Sequence, residues 1–213
     1  MRALVTGGTG RIGSAIAARL QRDGWSVLAA GRADGDLADP AATKALVARA
    51  AEELGGLDLL VNAAGEGFVA RPVDELSEED WDAAFGVTAK GSFFVSQAAA
   101  RQLRESRGCI VMVEDVAAYQ PWPSFAAHCA AKAAQAMLTR VLARAFAPEI
   151  RVCGVAPGPV AVGVPPQRAG VGHDEVRARA RRVRGDVAVR PPAVAAVAED
   201  DFAQRPSHLV ADR

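Results

Sequence analysis

Short apolar runs alternate along the chain with longer segments in which apolar residues recur at helical spacing. Residues 3–5 form an apolar run, and Ile12, Ile16 and Leu20 then follow at the spacing of one helix face. A second apolar run occupies residues 25–30. The beginning of the chain therefore predicts a strand, a helix and a second strand, the arrangement of a βαβ unit.

The same alternation continues through the middle of the chain. Asp39 and Pro40 are typical of a helix N-cap and first helical residue, and Gly55 is typical of a helix end. The elements predicted after this helix are a strand at 57–61, a helix from Ser77 to about Arg104, a strand at 109–113, a helix at 124–147 and a strand at 150–155. Gly91 lies inside the predicted helix that begins at Ser77, which indicates a kink or a close approach of another segment. Alternating strands and helices favour a single α/β domain over residues 1–213.

The pattern is less regular after residue 159. Val176, Ala180 and Val183 are spaced as the apolar stripe of a helix whose other faces carry several arginines. A solvated helix face is the simpler interpretation, and a substrate lid at residues 160–190, with arginines that meet an anionic group, is the other. A short helix at 193–198 and a final strand at 208–210 complete the prediction.

A glycine-rich segment at residues 6–13 separates the first predicted strand from the first predicted helix. Glycines at this position let the backbone approach a pyrophosphate, whose charge the helix N-terminus stabilises. The residue after the second strand is informative about the cofactor, because an acidic side chain there binds a ribose 2′-hydroxyl, whereas an arginine can pair with a 2′-phosphate. Arg32 favours NADP, although Asp34 and Asp36 keep NAD open and Arg32 could simply be solvated.

Chemically active side chains follow the strand predicted at 109–113. Glu114 and Asp115 lie at the carboxyl end of that strand, where open α/β sheets place their ligands. His128 and Lys132 are four residues apart in the next predicted helix and so share one face. The sequence therefore predicts that a carboxylate, an imidazole and an ammonium group converge.

Composition narrows the classes of ligand and compartment. The 213 residues carry 25 basic and 25 acidic side chains, a net charge of zero that gives no electrostatic indication of nucleic acid or an anionic membrane. A small-molecule substrate is expected instead. Cys109, Cys129 and Cys153 lack CxxC spacing, and two of them lie in strands predicted to be buried, which is typical of a reducing compartment. The first strand follows Met1 almost at once and no apolar run reaches membrane-spanning length, so a soluble cytoplasmic protein is predicted.

The order and spacing of these motifs resemble those of the short-chain dehydrogenase/reductase family over essentially the whole chain. The resemblance implies a Rossmann-type doubly wound parallel sheet with helices on both faces, a nicotinamide dinucleotide across the carboxyl ends of the strands, and helices around 85–102 and 125–145 that pair in a homodimer or homotetramer. It implies cofactor contacts from these residues: Gly7, Thr9, Gly10, Arg11, Ile12, Gly13, Arg32, Asp36, Leu37, Asn62, Ala63, Ala64, Gly65, Lys132, Pro157 and Gly158.

The expected catalytic residues depart from the family pattern of asparagine, serine, tyrosine and lysine. Lys132 keeps the lysine position, whereas Thr88 stands at the asparagine position, Asp115 at the serine position and His128 at the tyrosine position. An aspartate at the serine position resembles the pteridine reductase branch, which also tends to carry arginine where this chain has Arg11. The chain has only three lysines, so Lys132 is not explained by composition alone.

Three functions stay open from the sequence. The first is an NADP-dependent oxidoreductase that acts on a small-molecule carbonyl or imine with Asp115 and His128 in place of the usual pair. The second is a non-redox catalyst in which Asp115 and His128 carry out dehydration, isomerisation or cyclisation. The third is a nucleotide-binding protein without catalytic activity. Tyr119, the sole tyrosine, could in principle supply the missing hydroxyl, but lining a binding site is the more usual role of such a residue.

Overall fold

The computed structural model describes residues 1–66 and 68–158. The strands are β1 (Arg2–Thr6), β2 (Ser26–Ala30), β3 (Leu59–Asn62), β4 (Cys109–Val113) and β5 (Arg151–Val155), and the helices are α1 (Arg11–Arg22), α2 (Pro40–Leu54), α3 (Glu78–Phe85), α4 (Ser92–Ser106) and α5 (Ala126–Phe146). Apart from the helix predicted from Ser77 to about Arg104, the elements predicted within these residues are confirmed with shifts of one or two residues at their ends. The predictions for the lid at 160–190, the helix at 193–198 and the strand at 208–210 fall outside the described residues, so the single domain over residues 1–213 stays a prediction.

The five strands form one parallel sheet in the order β2-β1-β3-β4-β5. The chain therefore moves outward from β1 to β2 and then crosses back to the other side of β1 to form β3. This reversal is the topological switch point at which open α/β sheets bind ligands. It lies where the segments that follow β1 and β3 leave the sheet.

Successive residues of each strand face opposite sides of the sheet, which gives two cores. On one side, Leu4 and Ile110 pack with apolar residues of α2 and α4. On the other side, Val5 and Val113 pack with the stripe of α1 that the sequence pattern predicted. The Rossmann-type sheet with helices on both faces is thus confirmed for the described residues.

The outer edge of the sheet differs from the usual Rossmann arrangement, in which a further strand lies outside β2. In the described part of this chain nothing pairs with β2 on that side, because residues 31–39 lead directly into α2. Asp34 fixes this short connection. Its carboxylate accepts hydrogen bonds from the backbone N–H of Gly31 at 2.8 Å and from Arg49 Nη2 at 2.6 Å. The sequence prediction did not identify the shortened edge.

The long helix predicted from Ser77 to Arg104 is interrupted. Residues Gly86–Gly91 form a π-helical segment between α3 and α4. Gly91 lets this segment lie close to another part of the chain, since an added Cβ there would lie 2.9 Å from the backbone oxygen of Leu37. The predicted close approach at Gly91 is therefore confirmed, and continuous α-helix across this segment was wrong.

The burial predicted for Cys153 was also wrong. Cys153 is exposed, while Cys109 and Cys129 are partly buried. In the same part of the chain, no helix is both long and apolar enough to cross a bilayer.

Candidate cofactor cleft and active site

A cleft of about 530 Å³ opens at the carboxyl ends of β1, β2 and β3. Nine of the residues predicted to bind the cofactor line it: Gly7, Thr9, Gly10, Arg32, Asp36, Leu37, Ala63, Ala64 and Gly65. These residues come from three separate segments of the chain, which the parallel sheet brings to one edge. The structure therefore assembles most of the predicted cofactor set around one cavity.

The glycine loop turns tightly from β1 into α1. Gly10 donates its N–H to the carbonyl oxygen of Gly7 at 2.9 Å, and a Cβ on Gly13 would overlap that same oxygen. Gly10 caps α1 without a side-chain hydrogen bond, so the first N–H groups of the helix have no side-chain acceptor there. The free backbone N–H groups and the positive end of the α1 dipole can therefore stabilise a bound anion.

Three residues of the predicted glycine-loop set are not among the residues that line the cleft. Arg11 is exposed at the first position of α1. Ile12 is partly buried against the core that contains Val5, and Gly13 lies against Gly7. For Ile12 and Gly13, packing explains the residue type.

Charged residues from both sides of the cleft meet at its mouth. Arg32 Nη2 donates to Glu66 Oε1 at 2.7 Å, and both residues line the cleft. Asp36 lies beside them and accepts the N–H of Ala38 at 2.8 Å. Arg32 is therefore ion-paired with Glu66 while its side chain stays largely exposed to solvent. The sequence analysis missed Glu66, since the two residues are 34 positions apart.

The end of β3 directs its side chains in two ways. Ala63, Ala64 and Gly65 line the cleft, whereas Asn62 is buried and points its amide at Ser96 Oγ, 3.0 Å away. Asn62 therefore lies outside the cleft lining, and its Oδ1 atom has no hydrogen-bond partner. Pro157 and Gly158 follow β5 and are not among the lining residues either.

Asp115 and His128 contact each other, as the sequence predicted. Asp115 accepts the N–H of Ala117 at 2.9 Å, which holds the carboxylate at the start of a short 3₁₀ turn. Its other oxygen lies 3.4 Å from Nε2 of His128, whose Nδ1 atom is buried without a partner. Burial lowers the pKa of His128 below its usual value, Asp115 opposes this, and Lys132 adds to the lowering. The imidazole is therefore predominantly neutral at neutral pH.

Lys132 is buried on the same face of α5 as His128. Its ammonium group donates to the backbone oxygen of Val113 at 2.8 Å and to Gln135 Oε1 at 2.9 Å. Gln135 is fully buried, and its Nε2 atom donates a hydrogen bond to Ser92 Oγ at 2.8 Å. Burial lowers the pKa of Lys132 to about 8, against the opposing charges of Asp115 and Glu114. The sequence analysis did not identify Gln135, because an amide one turn beyond a lysine carries no motif.

Glu114, the residue before Asp115, is buried and holds two hydroxyl groups. It accepts hydrogen bonds from Thr139 Oγ1 at 2.7 Å and from the Tyr119 hydroxyl at 2.8 Å. Burial and the bond to Glu114 raise the pKa of Tyr119. The Tyr119 hydroxyl is thus engaged by Glu114 and does not stand in for the absent tyrosine.

Thr88 lies near the cleft, and Phe68 contacts His128. The hydroxyl of Thr88 is buried without a partner and lies 3.7 Å from where a Cβ on Gly65 would be. Phe68 contacts the His128 ring edge to face at 4.9 Å and stacks on Phe125 at 4.5 Å. Phe68 was missed by the sequence analysis, since an isolated aromatic residue in a loop gives no signal.

Comparisons with known proteins identify relatives of this chain. A family model described as short chain dehydrogenase matches residues 32–168. The chain is 33% identical to a 3beta-hydroxysteroid dehydrogenase of Mediterraneibacter gnavus and 34% identical to a 2,3-dihydro-2,3-dihydroxybenzoate dehydrogenase of Bacillus subtilis, over 70% and 73% of its own length. It spans 62% and 68% of the lengths of these two relatives.

Solved structures show the same relationship. A short chain dehydrogenase from Burkholderia cenocepacia in complex with NADP has a TM-score of 0.71 and 36% identity, covering 84% of this chain and 81% of that one. A xylitol dehydrogenase with bound NAD⁺ has a TM-score of 0.71 and 28% identity, covering 76% of this chain and 71% of that one. The matching family model, the curated relatives and the shared fold agree, and this chain belongs to the short-chain dehydrogenase/reductase family.

Proposed function

We propose that this protein is an NADP-preferring oxidoreductase that interconverts a small-molecule carbonyl or imine with the corresponding alcohol or amine. NAD is the alternative cofactor. The observation that carries the proposal is the cleft at the switch point of the sheet, with an uncapped helix N-terminus in it and the Asp115–His128 pair at the carboxyl end of β4, the strand next to β3. Relatives that are named dehydrogenases support the reaction class.

The residues of the cleft fit a nicotinamide dinucleotide. The exposed glycine loop offers backbone amides to a pyrophosphate, and Arg32 offers a guanidinium to a 2′-phosphate. The buried hydroxyl of Thr88 has no hydrogen-bond partner and lies near Gly65, which lines the cleft. When bound, the nicotinamide supplies or accepts the hydride.

In this proposal the protein moves the proton. In the oxidising direction, neutral His128 takes the proton of the substrate hydroxyl. In the reducing direction, protonated His128 returns that proton to the carbonyl oxygen or imine nitrogen. Asp115 orients the imidazole through Nε2 and stabilises its charged form. Lys132, held by Val113 and Gln135, contributes positive charge beside the site.

A hydride-transfer assay tests this proposal. Purified protein with NADPH or NADH is offered a panel of carbonyl and imine compounds, and NADP⁺ or NAD⁺ is offered with alcohols, while nicotinamide absorbance is followed. We expect turnover that His128→Ala abolishes and that His128→Tyr, which restores the family residue, retains in part. Arg22→Ala, an exposed substitution at the end of α1, is the control. Cofactor binding without hydride transfer to or from any compound would contradict the proposal.

The Asp115–His128 contact favours one second candidate, a non-redox acid-base catalyst. A neutral imidazole oriented by a carboxylate can move a proton in dehydration, isomerisation or cyclisation without a hydride acceptor. Turnover that persists after nicotinamide is removed, and that requires both Asp115 and His128, would support it. The third candidate, a protein that binds its nucleotide without catalysis, is ruled out if His128→Ala abolishes a measured turnover.

The proposed assembly is a homodimer or homotetramer. Met137 and Val141 are exposed one turn apart on α5, although both are apolar. A second copy of the chain that covers this face would remove them from water. We also propose a cytoplasmic location, on the basis of the composition of the chain.

A further inference from the structure

The ion pair between Arg32 and Glu66 crosses the cleft. Arg32 follows β2 and Glu66 lies in the segment after β3, while β1 lies between these two strands in the sheet. Neighbouring strands are about 4.8 Å apart, so the pair spans the width of the end of β1, from which the glycine loop leaves. It therefore lies across the region in which Rossmann-type sheets hold a dinucleotide.

The pair can open at little cost. The side chain of Arg32 is 85% exposed and that of Glu66 is 33% exposed. Exposed ion pairs contribute little to stability, because water solvates both partners when they separate. A phosphate dianion accepts two hydrogen bonds from a guanidinium and carries more charge than a carboxylate. A 2′-phosphate is thus able to displace Glu66 from Arg32.

Glu66 changes the electrostatic balance of the cleft, because it offsets the positive charge of Arg32. Among the lining residues that the structure describes, Arg32 carries the one positive charge, whereas Asp36 and Glu66 are acidic. Glu66 therefore neutralises the guanidinium on which a 2′-phosphate would depend. A ribose 2′-hydroxyl is uncharged and does not need that guanidinium.

We propose that Glu66 is a cofactor-selectivity residue that holds Arg32 across the cleft and releases it to the 2′-phosphate of NADP. Glu66 then weakens the binding of nucleotides that carry a 2′-phosphate and leaves the binding of their 2′-hydroxyl counterparts unchanged. This inference rests on the proposed function, in which the cleft holds a nicotinamide dinucleotide.

Two matched pairs of nucleotides test the inference by calorimetric titration. 5′-AMP and adenosine 2′,5′-bisphosphate differ only in the 2′-phosphate, as do NAD⁺ and NADP⁺. We expect Glu66→Gln to tighten binding of adenosine 2′,5′-bisphosphate and NADP⁺ by about two- to five-fold, the effect of freeing an exposed ion pair. Binding of 5′-AMP and NAD⁺ should not change.

Two further variants isolate the effect. Asp23→Asn breaks the exposed ion pair of Arg19 and Asp23 on α1, and because neither residue lines the cleft it should alter none of the four affinities. In an Arg32→Gln background, Glu66→Gln should no longer improve binding of the 2′-phosphorylated probes. If Glu66→Gln still tightens binding in the absence of Arg32, Glu66 acts by simple charge repulsion and the inference is overturned. Equal tightening for all four nucleotides, or no tightening for any of them, would also overturn it.

The outcome separates this inference from the proposed reaction. 5′-AMP and adenosine 2′,5′-bisphosphate contain no nicotinamide, so a protein that transfers no hydride would still show the selectivity. If the expected selectivity is observed but no hydride transfer is, only the proposed reaction is contradicted. If neither the wild type nor Glu66→Gln binds any of the four nucleotides, both the cofactor proposal and this inference fail.

Discussion

In the proposed reaction, the protonation state of the His128 imidazole sets the direction of proton transfer at neutral pH. Burial keeps its pKa below the usual value, so the neutral form predominates, and Nδ1 is buried with no partner. A neutral imidazole accepts a proton, whereas the phenol that the family uses at this position is protonated at neutral pH. We therefore expect oxidation of a hydroxyl to be favoured near neutral pH and reduction to improve as the solution becomes more acidic.

Substituting Asp115 tests the electrostatic part of this account. The hydrogen bond and charge of Asp115 raise the pKa of His128 against the effect of burial, so Asp115→Asn should lower the pKa of His128 further. An NMR titration of the His128 ring protons measures this pKa. Lys132→Met is a control with the opposite sign, since removing the positive charge of Lys132 should raise the pKa of His128. A higher pKa in Asp115→Asn would contradict the assignment of Asp115 as the partner of His128.

Lys132 makes stability depend on pH in alkaline solution. Its pKa falls from 10.5 to about 8 on folding, because burial disfavours the charged form. Below pH 8, Lys132 is protonated in both the folded and the unfolded state. Burial of its charge then lowers the free energy of unfolding by the full amount of about 3 kcal/mol. Between pH 8 and 10.5 the folded state releases its proton first, so the free energy of unfolding rises with pH.

Denaturation of wild type and Lys132→Met at two pH values measures this effect. From about pH 7 to about pH 9.5 the wild type should gain about 2 kcal/mol relative to Lys132→Met. The comparison uses the change with pH, so the constant cost of leaving Val113 and Gln135 without their donor cancels. A difference between the two proteins that stays flat over this range would show that the pKa of Lys132 is not lowered.

The π-helical segment Gly86–Gly91 links the helical layer to the cofactor cleft. Val87 lines the cleft, and the partnerless hydroxyl of Thr88 lies near Gly65. Gly91 approaches the backbone of Leu37, another residue that lines the cleft. Such segments are frequent at functional sites, because the additional residue changes the direction in which side chains point.

Gly91→Ala should therefore destabilise the protein, although glycine to alanine in a helix interior ordinarily stabilises. The new methyl group would lie 2.9 Å from the Leu37 oxygen, which is backbone and cannot move without shifting the connection to α2. We expect a loss of about 1 to 3 kcal/mol by urea denaturation. Lys90→Ala, at an exposed position of the same segment, should change stability by less than about 0.5 kcal/mol. A stabilised Gly91→Ala would refute the close-approach explanation.

At the scale of the whole molecule, the exposed apolar residues of α5 bear on the proposed homo-oligomer. Met137→Glu places a charge on the face that a second copy would cover, so light scattering with size exclusion should show a smaller assembly than that of the wild type. Ala48→Glu introduces the same charge on the exposed side of α2 and should leave the assembly unchanged. A wild-type protein that is already monomeric would remove the proposed homodimer or homotetramer.

The sequence by itself determined the succession of strands and helices and most of the cofactor cleft. These features are local, because an apolar period, an N-cap at Asp39 or a glycine loop after β1 acts within a few residues. The contact of Asp115 with His128 was also predictable, since a strand end and a helix face that follow each other closely have few ways to pack.

The tertiary structure alone decided the rest. It paired Arg32 with Glu66, turned Asn62 away from the cleft, held Lys132 with Val113 and Gln135, and left β2 without an outer neighbour among the described residues. Most of these arrangements join residues far apart in sequence, and each side chain had several polar partners available. Only the packing of strands and helices selects one partner, because it fixes which polar groups lose water together.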